Sequence, residues 1–68
     1  MKNIKIVDID EKIYYINPLN VCDISFKNWD SPDVDIDIYY NADNHLHIIV
    51  KRSTARNIMT YLDANKEN

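Results

Sequence analysis

Apolar and polar side chains alternate most regularly between Asp33 and Tyr40, where valine, isoleucine or tyrosine fills every second position. A period of two is typical of a β-strand that buries one face and leaves the other to water. The segment from His45 to Lys51 alternates in the same way. The pattern therefore predicts an antiparallel hairpin with three inward pairs: Val34 with Val50, Ile36 with Ile48, and Ile38 with Leu46.

The polar residues of this hairpin support the same register. It places Asp33 opposite Lys51 and Asp37 opposite His47 on the solvent face, and opposite charges across a ladder contribute about 0.2–1 kcal/mol each. The connecting loop is then Asn41-Ala42-Asp43. A slip by one residue would turn the aspartates into the core, so this is the register we expect.

The N-terminal part of the chain predicts another hairpin, because β-branched and aromatic residues are frequent in Ile4 to Ile9 and Lys12 to Ile16. Asp10-Glu11 is a poor two-residue turn, and a wider loop over Asp8 to Lys12 is the alternative. One face is expected to carry Ile4, Ile6, Ile13 and Tyr15, and the other Val7, Ile9, Tyr14 and Ile16. Since one helix covers only one face, we expect the second face to be exposed and to mark partner binding or a homodimer contact, unless the loop with Trp29 covers it.

The remaining elements complete the expected fold. Val21 to Lys27 reads as a strand with Cys22, Ile24 and Phe26 inward, and Asn28 to Pro32 reads as a loop. Ser53 is a good helix N-cap, and apolar residues follow it at helical spacing: Ala55, Ile58, Met59 and Leu62. We therefore expect an α+β fold, an antiparallel β-meander of about five strands with one C-terminal α-helix packed on one face, forming a single small domain over residues 1–68.

Composition narrows the class of protein. Sixty-eight residues allow one modest core and exclude a multi-domain enzyme. A net charge of −3 is too acidic for a general nucleic-acid binder, so direct nucleic-acid contact is not expected. The single cysteine, the lack of an apolar run near ~20 residues and the lack of a signal-peptide pattern favour a cytoplasmic protein without membrane contact. Isoleucine, asparagine and lysine, all with A/T-rich codons, make up 26 of the 68 residues, which favours an A/T-rich bacterial or phage genome.

Several short motifs resemble the small swarming-motility (flagellar operon) protein family. They are the step Tyr14-Tyr15-Ile16-Asn17-Pro18, then Val21 and Ile24, and finally Val50 and Ser53 before the helix. The resemblance covers most of the chain and implies a short hairpin-meander-helix fold, a motility role and no catalytic residues. The sequence differs from the family pattern in its Asp10-Glu11 turn, where the family has Asn-Gly, and in Lys27 to Pro32, which looks like an insertion.

Charge is distributed unevenly along the chain, and the acidic part suggests a function. Trp29 to Val50 contains five aspartates and no lysine or arginine. Asp33, Asp35 and Asp37 would form a row with about 6.6 Å between neighbours. The expected partner-binding residues are Asp33, Asp35, Asp37, Tyr39, Tyr14 and Trp29. The alternative is an ordinary solvated sheet face.

An acidic row of this kind suits a basic surface on a larger protein, such as a nucleic-acid-binding or defence enzyme. The expected function is that of a non-enzymatic protein-binding module. It would regulate or inhibit a larger host macromolecule, as a phage-type inhibitor does.

The basic residues Lys51, Arg52 and Arg56 at the start of the helix give the alternative function. A helix N-terminus beside basic side chains can hold a phosphate. A small motility-type or nucleic-acid-binding regulator would use these three residues.

The sequence gives less support for a metal site or for catalysis than for partner binding. His45 and His47 project from one strand face near Asp37, which suits a divalent metal, but a closed site needs four ligands and Cys22 is expected to point inward. Two exposed histidines beside an aspartate are the other interpretation. The serines have no base at a fixed offset, and no glycine is present to form a phosphate loop. We expect no enzyme, no cofactor and no bound metal.

Overall fold

The computed structural model describes residues 3–41 and 44–64, which form five strands and one α-helix. The elements are β1 (Ile4–Val7), β2 (Ile13–Ile16), β3 (Asp23–Lys27), β4 (Asp33–Asn41), β5 (Asn44–Lys51) and α1 (Arg52–Ala64), with a short 3-10 helix at Pro18–Asn20. The strands are antiparallel and form two sheets, β1-β2 and β3-β4-β5. The α+β class with a C-terminal helix on the sheet is therefore confirmed, although the strands do not form one continuous sheet.

The hydrophobic core joins both sheets to the helix, because α1 contacts β1, β4 and β5. Its buried members are Ile4, Ile6, Ile16, Val34, Ile36, Ile38, Ile48, Val50, Ala55 and Ile58. The apolar set predicted for β4 and β5 is buried except for Leu46, which is half-buried. None of the helices in the described part of the chain is long and apolar enough to cross a bilayer.

The predicted register of β4 and β5 is confirmed at every pair. Val34 lies opposite Val50, Asp33 opposite Lys51, and Asp37 opposite His47. Asn41 belongs to β4 and lies opposite Asn44, after an irregularity that begins at Tyr39, so it is not a loop residue as predicted. Ala42 and Asp43, the rest of the predicted loop, lie outside the described residues.

The first hairpin has the wider of the two connections that the sequence allowed. The Asp8 N–H donates to the Lys12 carbonyl at 3.0 Å, and the Asp8 carboxylate accepts the N–H groups of Asp10 and Lys12 at 2.9 Å. Glu11 takes a positive φ of 66°, as the last residue of a three-residue loop with a bulge often does.

This loop reverses part of the predicted facing of β2. Ile4 lies opposite Ile16 and Ile6 opposite Tyr14, so these four residues share the inward face. Ile13 and Tyr15 face outward with Val7, and the predicted grouping of Ile4 and Ile6 with Ile13 and Tyr15 is wrong. An exposed apolar face does exist, but its members on β2 are Ile13 and Tyr15.

Three smaller predictions need correction. β3 begins at Asp23, and Cys22 is exposed with its thiol donating to the Tyr40 carbonyl, so Cys22 does not point inward.

The helix begins at Arg52, which places Ser53 in its first turn and not at the N-cap. The Arg52 N–H donates to the Pro32 carbonyl at 3.0 Å, a bond that fixes the start of the helix on the loop before β4.

Candidate functional site

The outer face of the three-stranded sheet carries most of the predicted site. The pairing of β3, β4 and β5 places these side chains there: Asp23, Ser25, Lys27, Asp33, Asp35, Asp37, Tyr39, His45, His47, Ile49 and Lys51. Acidic groups line the central strand, and basic or imidazole groups lie on both neighbouring strands. The face is therefore a charge lattice whose members pair with one another to different extents.

Asp37 is the most covered member of this lattice, with 7% of its surface exposed. Its Oδ1 accepts a hydrogen bond from His45 Nε2 at 2.9 Å, and its Oδ2 lies 3.6 Å from Lys27 Nζ. The His45 hydrogen bond is the main reason why the pKa of Asp37 is lowered; the Lys27 charge adds to it against the opposing effect of burial. The expectation that Asp37 is solvated is wrong, because two diagonal neighbours lie against its carboxylate.

Asp35 is half-buried and is also paired. His47 Nε2 lies 2.9 Å from its Oδ1, and the Asn28 amide donates to its Oδ2. The Asn28 hydrogen bond, followed by that of His47, lowers the pKa of Asp35. The predicted row of three open carboxylates is thus reduced to Asp33, which is exposed.

Tyr39 lies at the end of this lattice. Its ring stacks on the His45 imidazole with centroids 4.5 Å apart and planes 9° apart. Tyr39 keeps 37% of its surface exposed, so part of this residue is accessible to a partner. The stack also holds the imidazole in position to donate to Asp37.

The lowered pKa values of Asp35 and Asp37 predict a loss of stability in acid. A carboxyl group whose pKa is lower in the folded state stabilises the fold above its ordinary value of 3.8, and this contribution disappears as the pH falls through the folded value. We expect the free energy of unfolding, measured with urea, to fall below about pH 4. Asp37→Asn should flatten this fall and Asp63→Asn should leave it unchanged; an equal slope in all three proteins would contradict the assignment.

A concave acidic cleft lies next to the lattice and is the second part of the site. Its volume is about 390 Å³, and it is lined by Ile9, Asn28, Asp30, Ser31, Asp33, Asp35 and Ile49. Within residues 3–41 and 44–64, the carboxylates of Asp30 and Asp33 form no ion pair. Ile9 and Ile49 supply apolar surface beside them. The cleft therefore offers two unpaired negative charges next to an apolar wall.

Two aromatic residues predicted for partner binding lie elsewhere. Tyr14 is half-buried on the inner face of the first hairpin, where its hydroxyl donates to Asp8 at 3.2 Å. Trp29 is half-buried, stacks on Phe26 with ring centroids 5.7 Å apart, and packs against the core. Both residues serve mainly as packing residues in this structure. Trp29 stacks on Phe26 of the three-stranded sheet, and its neighbours Asn28 and Asp30 line a cleft together with Ile9, a member of the predicted second face of the hairpin.

The basic residues at the start of α1 do not act as one group. Arg52 donates from Nε and Nη2 to the Ser31 carbonyl at 3.2 and 2.7 Å, so its guanidinium fixes the loop before β4. Lys51 and Arg56 are exposed. One of the three cations predicted for nucleic-acid binding therefore has a structural partner.

His45 and His47 lie on the same outer face near Asp37, as predicted. Each imidazole Nε2 is 2.9 Å from a different carboxylate, Asp37 for His45 and Asp35 for His47. Among the described residues, no group of three histidine, cysteine or acidic side chains is placed to hold a metal ion. In this geometry the histidines act as hydrogen-bond donors to aspartate.

Comparison with protein-family models, curated proteins and solved structures finds no match to this chain. The resemblance to the swarming-motility family stays a sequence-based prediction. The function is therefore inferred from the residues themselves. Sequence reasoning missed Asp30, Ile9 and Ile49 as site residues, because the fold brings three distant segments together; the aspartate-rich segment after Trp29 was the only signal for them.

Proposed function

We propose that this protein is a non-enzymatic binding module that regulates or inhibits a larger protein by docking its acidic cleft on a basic surface. The observation that supports this most is the pair of carboxylates, Asp30 and Asp33, that form no ion pair within the described residues and line a cleft with apolar walls. A flat solvated face would supply charge without a concave contact.

The cleft suits a lysine or arginine side chain. Such side chains lay their methylene stems along apolar surface while the charged head reaches a polar group. Ile9 and Ile49 can contact the stem, and Asp30 and Asp33 can accept hydrogen bonds from the head. The net charge of −3 would also raise the association rate with a basic protein.

The paired lattice has a supporting role in this proposal. Asp35 and Asp37 already accept hydrogen bonds from His47 and His45, so a partner would have to displace these donors to use them. Asp33, Asp30 and the exposed part of Tyr39 are available without such a cost. The proposed docking residues therefore keep Asp33 and Tyr39 from the set expected from the sequence and add Asp30.

The proposal also includes the compartment of the protein, the origin of its gene and its self-association. The single exposed cysteine fits a reducing compartment such as the cytoplasm. The A/T-biased composition fits a phage-encoded inhibitor of a host enzyme. The exposed apolar face of the first hairpin suits a second copy of the chain.

The cleft is tested with a dye-labelled peptide of alternating lysine and serine residues, whose binding is followed by fluorescence anisotropy. The double variant Asp30→Asn/Asp33→Asn should bind about fivefold more weakly, which corresponds to two exposed ion pairs of roughly 0.5 kcal/mol each. Binding of the unmodified protein should weaken as salt rises toward about 0.15 M.

The matched control is Asp10→Asn/Asp63→Asn, which removes the same charge from exposed positions outside both the cleft and the lattice. Its affinity should stay within about twofold of the unmodified protein. Equal weakening in both double variants would mean that the peptide senses only net charge, and unchanged affinity in the cleft variant would also overturn the proposal.

A further inference from the structure

Strand β2 is an edge strand whose outer side has no hydrogen-bonded neighbour in the described chain. The bond from Asp8 N–H to the Lys12 carbonyl sets the phase of the hairpin. In an antiparallel ladder, alternate residues point their backbone groups at the neighbouring strand. Tyr14 and Ile16 therefore point at β1, and the N–H and C=O groups of Ile13 and Tyr15 point away from it.

The same two residues expose apolar side chains. Ile13 is 50% exposed and Tyr15 is 67% exposed, and Val7 lies opposite Ile13 on the same face. An edge that presents both backbone hydrogen-bonding groups and apolar side chains favours pairing with another strand.

Strand β2 also lacks the usual protection of an edge. Natural edge strands carry charged residues, proline or bulges that oppose pairing. β3, an edge of the other sheet, carries Asp23 and Lys27, whereas Ile13–Ile16 reads Ile-Tyr-Tyr-Ile without a charge. On β5, the opposite edge, the Ile49 carbonyl already accepts the Ile9 N–H at 2.9 Å.

We propose that β2 pairs antiparallel with β2 of a second copy across a twofold axis, which joins the two hairpins into a four-stranded sheet. Ile13 of each copy would lie opposite Tyr15 of the other, and Tyr14 opposite Tyr14 on the axis. This register brings the outward backbone groups of Ile13 and Tyr15 together in hydrogen-bonded pairs. It also makes two aromatic–β-branched cross-strand pairs, which are favourable on a sheet face.

Lys12 lies on the opposite face, where its Nζ is 5.2 Å from the centroid of the Tyr14 ring, so each copy brings one ammonium group near the axis and these two charges oppose pairing. Charge does not oppose pairing on the face that carries Ile13 and Tyr15. The nearest cation on the same face is Lys5, opposite Tyr15 on β1. In the paired sheet, the two β1 strands are three strand spacings apart, about 14 Å. That separation exceeds the screening length of roughly 8–10 Å near physiological salt, so the two lysines repel each other little.

This inference specifies the self-association named in the proposed function, and it does not involve the acidic cleft. A failure here would leave binding of the basic peptide unchanged. A failure of the cleft variant would leave the dimer unchanged. The two proposals can therefore fail separately.

Sedimentation equilibrium over a range of protein concentrations tests the dimer. The unmodified chain should approach twice its monomer mass of 8.1 kDa as concentration rises. Tyr15→Lys should raise the dimer dissociation constant at least about tenfold, since it brings one lysine from each copy into the interface. The matched control is Leu19→Lys, which makes a similar change at a residue 77% exposed outside β2, and it should dimerise normally.

Amide hydrogen exchange supplies a second readout that does not depend on any variant. The amides of Ile13 and Tyr15 should become more protected as the protein concentration rises, and the amide of Tyr14, which points at β1, should change less. A monomer at every concentration, a dimer that survives Tyr15→Lys, or exchange at Ile13 and Tyr15 that ignores concentration would each overturn the proposal.

Discussion

Replacing Ile36 by alanine is expected to lower the free energy of unfolding by about 2–5 kcal/mol. Ile36 is fully buried at the middle of β4, the central strand of its sheet, between Phe26 and Ile48. Removing three methyl or methylene groups there leaves a cavity that neighbours on both sides cannot fill. A domain of this size has roughly 5 kcal/mol of total stability, so the variant should keep at most about 3 kcal/mol of it.

Urea unfolding, followed by circular dichroism at low protein concentration, measures this change. Leu19→Ala is the matched control, because the Leu19 side chain is mostly exposed; its effect should be within about 0.5 kcal/mol. A loss below about 1 kcal/mol for Ile36→Ala would mean that β4 is not at the centre of the core.

Replacing Ile6 by alanine is expected to have the second largest effect, again about 2–5 kcal/mol. Ile6 is 1% exposed on β1, which belongs to the smaller sheet and contacts α1. If both sheets share one core, this change must destabilise the larger sheet as well. Trp29 packs against the core and stacks on Phe26 of the larger sheet, so its fluorescence reports on that sheet.

The Ile6→Ala midpoint should therefore be the same by Trp29 fluorescence and by circular dichroism, and lower than in the unmodified protein by both. Coincident transitions are the mark of one cooperative unit. An unchanged Trp29 transition, with loss of hydrogen-exchange protection confined to β1 and β2, would show that the hairpin unfolds on its own.

The register of β4 and β5 from Asp33 to Ile38 could be predicted because two independent patterns agree there. The apolar alternation allows only registers that place apolar residues opposite apolar residues. The pairing of Asp33 with Lys51 selects one of these registers. A strand with one polar and one apolar face specifies its register strongly.

The sequence does not predict which side chains of β2 face the core. Apolar residues occupy both faces of the first hairpin, so burial does not distinguish one parity from the other. The conformation of the loop determines which side chains of β2 face the core, and the Asp8 carboxylate and the positive φ of Glu11 fix that conformation. Glutamate is not a residue type that predicts a positive φ.

The sequence predicts which face of the sheet carries the candidate site, but it does not predict which side chains on that face pair with one another. Alternation places Asp35 and Asp37 outward, and it carries no information on side chains that lean diagonally between strands. His45 and His47 each reach the carboxylate that is not directly opposite them. The cleft was missed because Ile9, Asp30 and Ile49 are separated by about twenty residues each and meet only in the folded chain.

We propose that Asp30 and Asp33 are available to a basic partner, whereas Asp37 already accepts a hydrogen bond from His45 and lies beside Lys27. An NMR titration of the aspartate side-chain carboxyl carbons with Nα-acetyl-lysine methylamide tests this directly. The signals of Asp30 and Asp33 should move together along one saturating curve, and that of Asp37 should stay in place. Movement of Asp37 as large as that of Asp33, or no movement at either cleft residue, would contradict docking at the cleft.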